Sequence, residues 1–114
     1  MGEPIRIAIC DDHPVFRAGL VGLLRDEPDL DIAFEAGSAR ELRDRIAGAP
    51  VDVLLLDLQL PDEHGLAVLP AITDRCRAVI VSAFDDPVQI RRAFEHGAVG
   101  FVRKDAAACA ILDA

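Results

Sequence analysis

The chain has 114 residues, with 12 Lys and Arg against 20 Asp and Glu, which gives a formal net charge of −8 at pH 7. This length accommodates one domain, and the acidic balance argues against nucleic-acid binding by these residues, because that requires a basic surface. Apolar residues make up 52% of the sequence, enough to bury a core, and no apolar run reaches the roughly 20 residues of a membrane span.

Short aliphatic runs alternate along the chain with segments of helical periodicity. Most of these runs lack polar alternation, which predicts strands buried on both faces of a parallel sheet, whereas 29–35 alternates partly and is typical of a half-covered or edge strand. In chain order the predicted elements are a strand at Ile5–Cys10, a helix at Pro14–Arg25, a strand at Asp29–Glu35, a helix at Ser38–Ala47, a strand at Val53–Leu56, a helix at Leu66–Thr73, a strand at Ala78–Val81, a helix at Pro87–His96, a strand at Val99–Val102 and a helix at Ala106–Ala114. This order predicts an α/β fold with a doubly wound, five-stranded parallel sheet.

Several residues indicate where the predicted helices begin and end. Ser38 followed by Glu41 forms a capping-box pattern. Pro87 suits the first position of the fourth helix, and Gly97 lies just past its end. Pro70 is expected to shorten or kink the third helix, because it lacks a backbone N–H.

Polar side chains follow the predicted strands, and the carboxyl ends of parallel strands meet at one edge of a sheet. They are Asp11 and Asp12, then Asp57, then Ser82, and finally Lys104 two residues beyond the last strand. Three neighbouring carboxylates need counter-charge, which Lys104 and a hard divalent cation such as Mg²⁺ would supply. The set suits attack of a carboxylate on phosphorus, with a hydroxyl and an ammonium holding the phosphoryl oxygens.

Four motifs in the sequence occupy these strand ends in order: DDHP at Asp11–Pro14, LLDLQLP at Leu55–Pro61 followed by Gly65, VSA at Val81–Ala83 and GFVRKD at Gly100–Asp105. With them, the whole chain resembles the receiver domain of bacterial two-component response regulators. The segments 11–20 and 97–107 resemble the NarL/LuxR-type subfamily. The resemblance implies a flavodoxin-like (β/α)5 receiver domain over residues 1–114, with the last helix truncated and a C-terminal helix-turn-helix effector domain absent from this chain.

The resemblance also implies roles for particular residues, position by position. These roles are phosphoacceptor for Asp57, Mg²⁺ binding for Asp11, Asp12, Asp57 and the backbone carbonyl of Gln59, catalysis together with Asp57 for Ser82 and Lys104, and an aromatic switch for Phe101. The implied partners are a sensor histidine kinase, a second copy of the chain on phosphorylation, and DNA only through the missing domain, with no membrane partner. The implied protein is cytoplasmic and is a signalling domain rather than a turnover enzyme.

Some residues depart from the family pattern or admit a structural interpretation. Asp105 follows Lys104 where many receivers have proline, so no cis peptide bond is expected there. His13 is better explained as a polar residue at a helix start than as a metal ligand. The three scattered cysteines lack paired metal spacing and are interpreted as reduced, mostly buried thiols. On the fourth helix, a partner-binding surface and a solvated helix face explain Arg91, Arg92 and Glu95 equally well.

Two other functions remain open from the sequence. One is a degenerate receiver that acts as a protein-interaction module without phosphorylation, which predicts weak Mg²⁺ affinity. The other is a hydrolase of the aspartyl-phosphate type. Such enzymes usually carry a second acid two residues after the nucleophile, where this chain has Gln59, and the chain has no segment that would cover a substrate.

Overall fold

A computed structural model describes residues 3–83 and 86–105 of the chain. The elements in chain order are β1 (Ile5–Cys10), α1 (Pro14–Arg25), β2 (Leu30–Ala36), α2 (Ala39–Ile46), β3 (Val53–Leu56), α3 (Gly65–Ile72), β4 (Arg77–Ser82), α4 (Pro87–Glu95) and β5 (Gly100–Arg103). All five strands are parallel in one sheet of order β2-β1-β3-β4-β5, which confirms the predicted flavodoxin-like fold. The predicted helix at 106–114 lies outside the described residues. None of the described helices is long and apolar enough to cross a membrane.

The three central strands bury side chains on both faces of the sheet, as their largely aliphatic sequences predict. On one face, β1, β3 and β4 pack against α1 through Ile7, Ile9, Leu55 and Val81. On the other face, the alternate residues Ala8, Cys10, Leu54, Leu56 and Ile80 pack against α2, α3 and α4. The sheet is therefore fixed from both sides at the strand ends that carry the predicted site.

The two outer strands differ from the central ones. β2 is an edge strand, as its partial alternation predicts. The last strand contacts the core on both faces of the sheet, as predicted, since Phe101 and Val102 pack against opposite core clusters. It is buried less than predicted, because none of the four residues of β5 is fully buried. β5 lies at the other edge of the sheet and pairs with β4 alone. An aliphatic run identifies a strand but does not distinguish a central position from an edge position.

The helix termini follow the local sequence closely. Ser38 caps α2, since its hydroxyl accepts a hydrogen bond from the Glu41 backbone N–H at 3.1 Å. The Glu41 carboxylate accepts its bond from the Gly37 N–H at 2.8 Å, one residue earlier than a capping box predicts. Pro87 begins α4, and Gly97 follows it with φ +107°, a conformation that favours glycine.

The third helix has eight residues, the same length as α2, which contains no proline, so the predicted effect of Pro70 stays a prediction. Pro70 lies inside α3, which ends two residues later at Ile72. The described residues contain no cis peptide bond, as expected for the step from Lys104 to Asp105.

Candidate functional site

Three polar residues extend the sheet by one hydrogen bond beyond the carboxyl ends of the strands. The backbone bonds are Asp11 N–H to Ala36 O at 2.9 Å, Asp57 N–H to Cys10 O at 2.9 Å and Lys104 N–H to Ser82 O at 2.8 Å. Residues distant in sequence are thereby fixed at one edge of the sheet. The carboxylates of Asp11 and Asp57 are almost fully buried, with side chains only 3% exposed.

The Lys104 ammonium links these two carboxylates. Its Nζ atom lies 2.8 Å from Asp11 Oδ2 and 3.2 Å from Asp57 Oδ2, and the side chain is 12% exposed. The Phe16 ring lies below it, with its centroid 4.7 Å from Nζ, which is within the range of a cation–π interaction. One positive charge is therefore held between two buried negative charges at the centre of the site.

The positive charge of Lys104 does not cancel the effect of burial on the pKa of the Asp57 carboxyl. Burial raises the pKa of the Asp57 carboxyl above its ordinary value. The Gln59 backbone N–H, which donates to Asp57 Oδ1 at 3.1 Å, and the Lys104 charge lower that pKa without cancelling the effect of burial, and the Asp11 charge raises it further. Additional positive charge at this position would stabilise the ionised site.

Asp12 adds a third carboxylate with an unsatisfied oxygen. Its Oδ1 atom is buried and has no hydrogen-bond partner among the described residues, an arrangement that is costly without a compensating group. One ligand atom from each of Asp11, Asp12, His13 and Asp57 lies within 4.8 Å of the others. Oxygen-rich donor sets of this kind fit Mg²⁺ or Mn²⁺, so these residues can hold a divalent cation.

The structure brings His13 into this cluster, which the sequence interpretation did not anticipate. His13 does precede α1 as its N-cap residue, but its side chain makes no capping hydrogen bond. Instead, its Nδ1 atom lies 3.2 Å from Asp11 Oδ1 and 2.7 Å from Lys104 Nζ.

Two backbone contacts shape the loops that carry the acids. Arg17 donates from Nη1 to the Asp11 carbonyl at 2.8 Å, and its Nε lies 3.3 Å from Glu35 Oε1, so the β1–α1 loop is tied to β2. Gly65 packs directly against the phosphoacceptor candidate, since a Cβ atom there would lie 2.6 Å from the Asp57 carbonyl oxygen. Only glycine permits this approach, which explains its place in the sequence motif.

The remaining predicted site residues lie close to the cluster or on the strand beside it. Ser82 is buried at the end of β4, and together with Gln59 it lines an open cavity of about 330 Å³ next to α4. Phe101 is half-buried on β5, in register with Ile80 of β4. The carbonyl role of Gln59, the movement of Ser82 and the switching of Phe101 stay predictions.

The described cysteines are structural, as the sequence predicts. Cys10 and Cys76 are both free thiols, the first fully buried and the second half-buried. Burial, with a contribution from the Asp11 and Asp57 charges, raises the pKa of the Cys10 thiol to about 12, so it is not a reactive thiolate. Cys109 lies outside the described residues.

The predicted partner surface on α4 includes one exposed ion pair. Arg91 Nε lies 3.6 Å from Glu95 Oε1, and both side chains are mostly exposed. Val88 on the same helix is 45% exposed. These contacts are compatible with both sequence interpretations of this helix.

Comparison with known proteins relates this arrangement to one family. The profile of the response regulator receiver domain matches residues 7–114. The chain is 36% identical over 100 residues to the transcriptional regulatory protein UhpA of Salmonella typhimurium, covering 88% of this chain and 51% of that protein. It is 36% identical over 104 residues to the DNA-binding transcriptional activator DevR/DosR of Mycobacterium tuberculosis, covering 89% of this chain and 48% of that protein.

A solved structure shows the same relationship. A two-component response regulator of the LuxR family from Aurantimonas superposes with a TM-score of 0.89 at 28% identity, covering 98% of this chain and 82% of that one. The chain spans about half the length of the two curated relatives, 51% of one and 48% of the other.

Proposed function

Because the chain belongs to the response regulator receiver domain family, we propose that it is a phosphorylation-controlled switch that accepts a phosphoryl group from a histidine kinase on Asp57. The observation that carries this proposal is the Lys104 ammonium held between two buried carboxylates, 2.8 Å from Asp11 Oδ2 and 3.2 Å from Asp57 Oδ2. A buried acid next to a fixed cation is positioned to attack phosphorus and to retain the product.

The cation in this proposal is Mg²⁺, held by Asp11, Asp12, Asp57 and the backbone carbonyl of Gln59. When bound, it neutralises the carboxylates and the oxygens of the incoming phosphoryl group. Two features support this assignment. The Asp12 Oδ1 atom has no hydrogen-bond partner among the described residues, and burial raises the pKa of Asp57. A nearby positive charge would stabilise both carboxylates in their ionised form.

The residues of the chain then perform the transfer. A carboxylate oxygen of Asp57 bonds to phosphorus while the bond from phosphorus to the kinase histidine nitrogen breaks, which leaves an aspartyl phosphate and a free imidazole. The Lys104 ammonium balances charge on the phosphoryl oxygens, and the Ser82 hydroxyl moves toward one of them. The chain is a signalling domain rather than a turnover enzyme, because the phosphoryl group stays on its own side chain until hydrolysis.

The signal passes from the site to the edge of the sheet in this proposal. The Ser82 carbonyl accepts the Lys104 backbone N–H at 2.8 Å, and Phe101 pairs in register with Ile80 two residues before Ser82. Movement of the Ser82 hydroxyl on β4 can therefore be felt directly by Phe101 on the neighbouring strand β5. Inward movement of the half-buried Phe101 ring would change the surface of α4 and β5, because packed elements switch between discrete arrangements.

The proposed output is homodimerisation or control of a DNA-binding domain outside this chain. This rests on the two relatives that are a transcriptional regulatory protein and a DNA-binding transcriptional activator, of which the chain spans about half. The formal charge of −8 opposes direct contact of these residues with DNA. We place the switch in the cytoplasm, where a histidine kinase would phosphorylate it.

The test is the intact mass of the chain after incubation with acetyl phosphate and Mg²⁺. We expect one phosphoryl adduct on the parent chain, no adduct on Asp57→Ala, and no adduct when EDTA removes the cation. Asp62→Asn is the matched control, because it removes a carboxylate of the same loop that bonds to α2 instead of the cluster. This control should form the adduct.

Fast hydrolysis of the phosphoryl group is controlled for with beryllofluoride, which forms a stable complex at a competent phosphoacceptor. An adduct that persists on Asp57→Ala contradicts the site assignment. Absence of both the adduct and the beryllofluoride complex contradicts the proposal and favours the interaction module that works without phosphorylation.

A further inference from the structure

The imidazole of His13 has no role in the switch described above, and its position points to one. We propose that His13 Nδ1 is a nitrogen ligand of the divalent cation, so that this site favours first-row transition-metal ions such as Mn²⁺ over Mg²⁺. The inference rests on the proposed function only in that it concerns the same cation site.

The first step is geometric. His13 Nδ1 lies 3.2 Å from Asp11 Oδ1, 3.5 Å from Asp12 Oδ1 and 3.7 Å from Asp57 Oδ2. Neighbouring ligands of an octahedral ion are about 3.0 Å apart when each bond is about 2.1 Å long. The nitrogen is therefore already near the spacing of adjacent ligands from three carboxylates at once.

The second step concerns the charge that faces His13 Nδ1. Lys104 Nζ lies 2.7 Å from His13 Nδ1, and an ammonium has donors but no acceptor. His13 Nδ1 is therefore in direct contact with a positive charge. The same ammonium contacts Asp11 and Asp57, so a metal ion bound to Nδ1 and these carboxylates would take the place of the ammonium beside the imidazole.

The third step is ligand chemistry. Imidazole nitrogen is a good ligand for the first-row transition ions, whereas Mg²⁺ prefers oxygen and retains several water molecules. The oxygens of Asp11, Asp12 and Asp57 serve both classes of ion. The nitrogen of His13 adds affinity chiefly for the transition ions, and it makes the choice of cation depend on a single side chain.

The position of His13 also makes the inference testable without unfolding the chain. The side chain is 58% exposed and makes no capping hydrogen bond to α1. Its replacement removes a nitrogen ligand and leaves the three carboxylates in place. The chain has three histidines, and the other two, His64 and His96, serve as matched controls.

The experiment is pulsed electron paramagnetic resonance of Mn²⁺ bound to the full chain, which detects a directly coordinated imidazole nitrogen. We expect ¹⁴N modulation from the parent chain and from the double variant His64→Gln/His96→Gln, and no such modulation from His13→Ala. Titration of the same proteins should show that His13→Ala raises the Kd for Mn²⁺ about tenfold and the Kd for Mg²⁺ less than about twofold.

The outcomes separate this inference from the proposed function. Bound Mn²⁺ without nitrogen modulation in the parent, modulation that persists in His13→Ala, or no binding of Mn²⁺ at all would each overturn the ligand assignment. Phosphorylation of the parent with Mg²⁺ would be unaffected by the first two results. Conversely, nitrogen modulation in a chain that takes up neither a phosphoryl group nor beryllofluoride would support the ligand and contradict only the switch.

Discussion

Two carboxylates on the same loop of this chain are in opposite electrostatic states. Asp57 is 3% exposed, and burial raises its pKa. Asp62, five positions later, is exposed and accepts hydrogen bonds from the backbone N–H groups of Ala39 at 2.9 Å and Arg40 at 3.0 Å, which lower its pKa. The first acid lacks sufficient positive charge, whereas the second has its partners supplied by the first turn of α2.

The difference separates an acid available for chemistry from one used for structure. The peptide N–H groups at a helix start are fixed dipoles, and Asp62 satisfies two of the donors that α2 leaves unpaired. Because each oxygen of Asp62 already accepts a backbone hydrogen bond, this carboxylate is a poor ligand for a cation. Each oxygen of Asp57 also has a partner, yet burial keeps the pKa of this acid raised, and Asp12 has a buried oxygen without a partner among the described residues. Burial and charge balance, rather than the density of acids, therefore identify the site.

The largest expected effect comes from a substitution at Gly65, where the loop that carries Asp57 and Asp62 meets α3. In Gly65→Ala the new Cβ would lie 2.6 Å from the Asp57 carbonyl oxygen and 2.7 Å from Leu58 Cα, both backbone atoms that cannot move cheaply. We expect a loss of about 3 kcal/mol in the free energy of unfolding. Urea denaturation, together with Mg²⁺ titration, measures the effect on the fold and on the site.

Gly22 in α1 provides the control for this substitution. A Cβ there meets nothing within 4 Å, so Gly22→Ala should stabilise the chain by about 0.5–1 kcal/mol through helix propensity. Equal effects of the two substitutions would show that the close approach at Gly65 is not what fixes the loop.

Sequence reasoning predicted the sheet and the positions of the main site residues well, for a physical reason. Aliphatic runs and helix-end signals are local, and parallel topology carries Asp11, Asp57 and Lys104 to one edge whatever the details of packing. The extent to which β5 is buried was overestimated, because an aliphatic run has the same pattern in a central strand and in an edge strand.

The partners of individual side chains could not be predicted, because they depend on distances between loops. Asp62 bonds to residues 23 and 22 positions earlier in the chain, across the gap between the β3–α3 loop and α2. Lys104 lies 91 positions after His13, which it contacts. The strand pattern brings distant residues to the same edge of the sheet, but it does not specify which side chains then come into contact. The orientation of the His13 imidazole follows only from the contacts around it.

Most substitutions in a protein interior lower stability, but a substitution at the buried Asp57 is expected to raise it. A pKa that is raised in the folded chain means that ionised Asp57 opposes folding, so its cost appears as pH rises through its titration range. Asp57→Asn should therefore stabilise the chain near neutral pH in the absence of divalent cations. The gain should vanish at pH values below the ordinary pKa of an aspartate.

Thermal denaturation of the parent and of Asp57→Asn across this pH range, with and without Mg²⁺, measures the difference. Saturating Mg²⁺ should stabilise the parent more than the variant, because the cation meets the charge that the variant lacks. A variant that is less stable than the parent at neutral pH without cation would mean that the Lys104 ion pair outweighs burial.

The smallest effect, and one of opposite sign, is expected at Asp62. Its lowered pKa means that ionisation favours folding, so its contribution is present above the ordinary pKa of an aspartate and is lost as pH falls through the lowered value. Asp62→Asn should lower the melting temperature slightly at neutral pH and low salt and have no effect in acid. Because the group is exposed, added salt should shrink the difference.

Asp62→Asn should also leave the Kd for Mg²⁺ within about twofold of the parent value, since this carboxylate bonds to the first turn of α2 and is not part of the cluster. The pair Asp57→Asn and Asp62→Asn therefore makes the same chemical change to one loop with two opposite slopes of stability against pH. If both variants were stabilised at neutral pH, the net charge of −8 would be the common cause, since removing any acid relieves general repulsion. Opposite slopes would show that local partners, and not overall charge, determine what each carboxylate does.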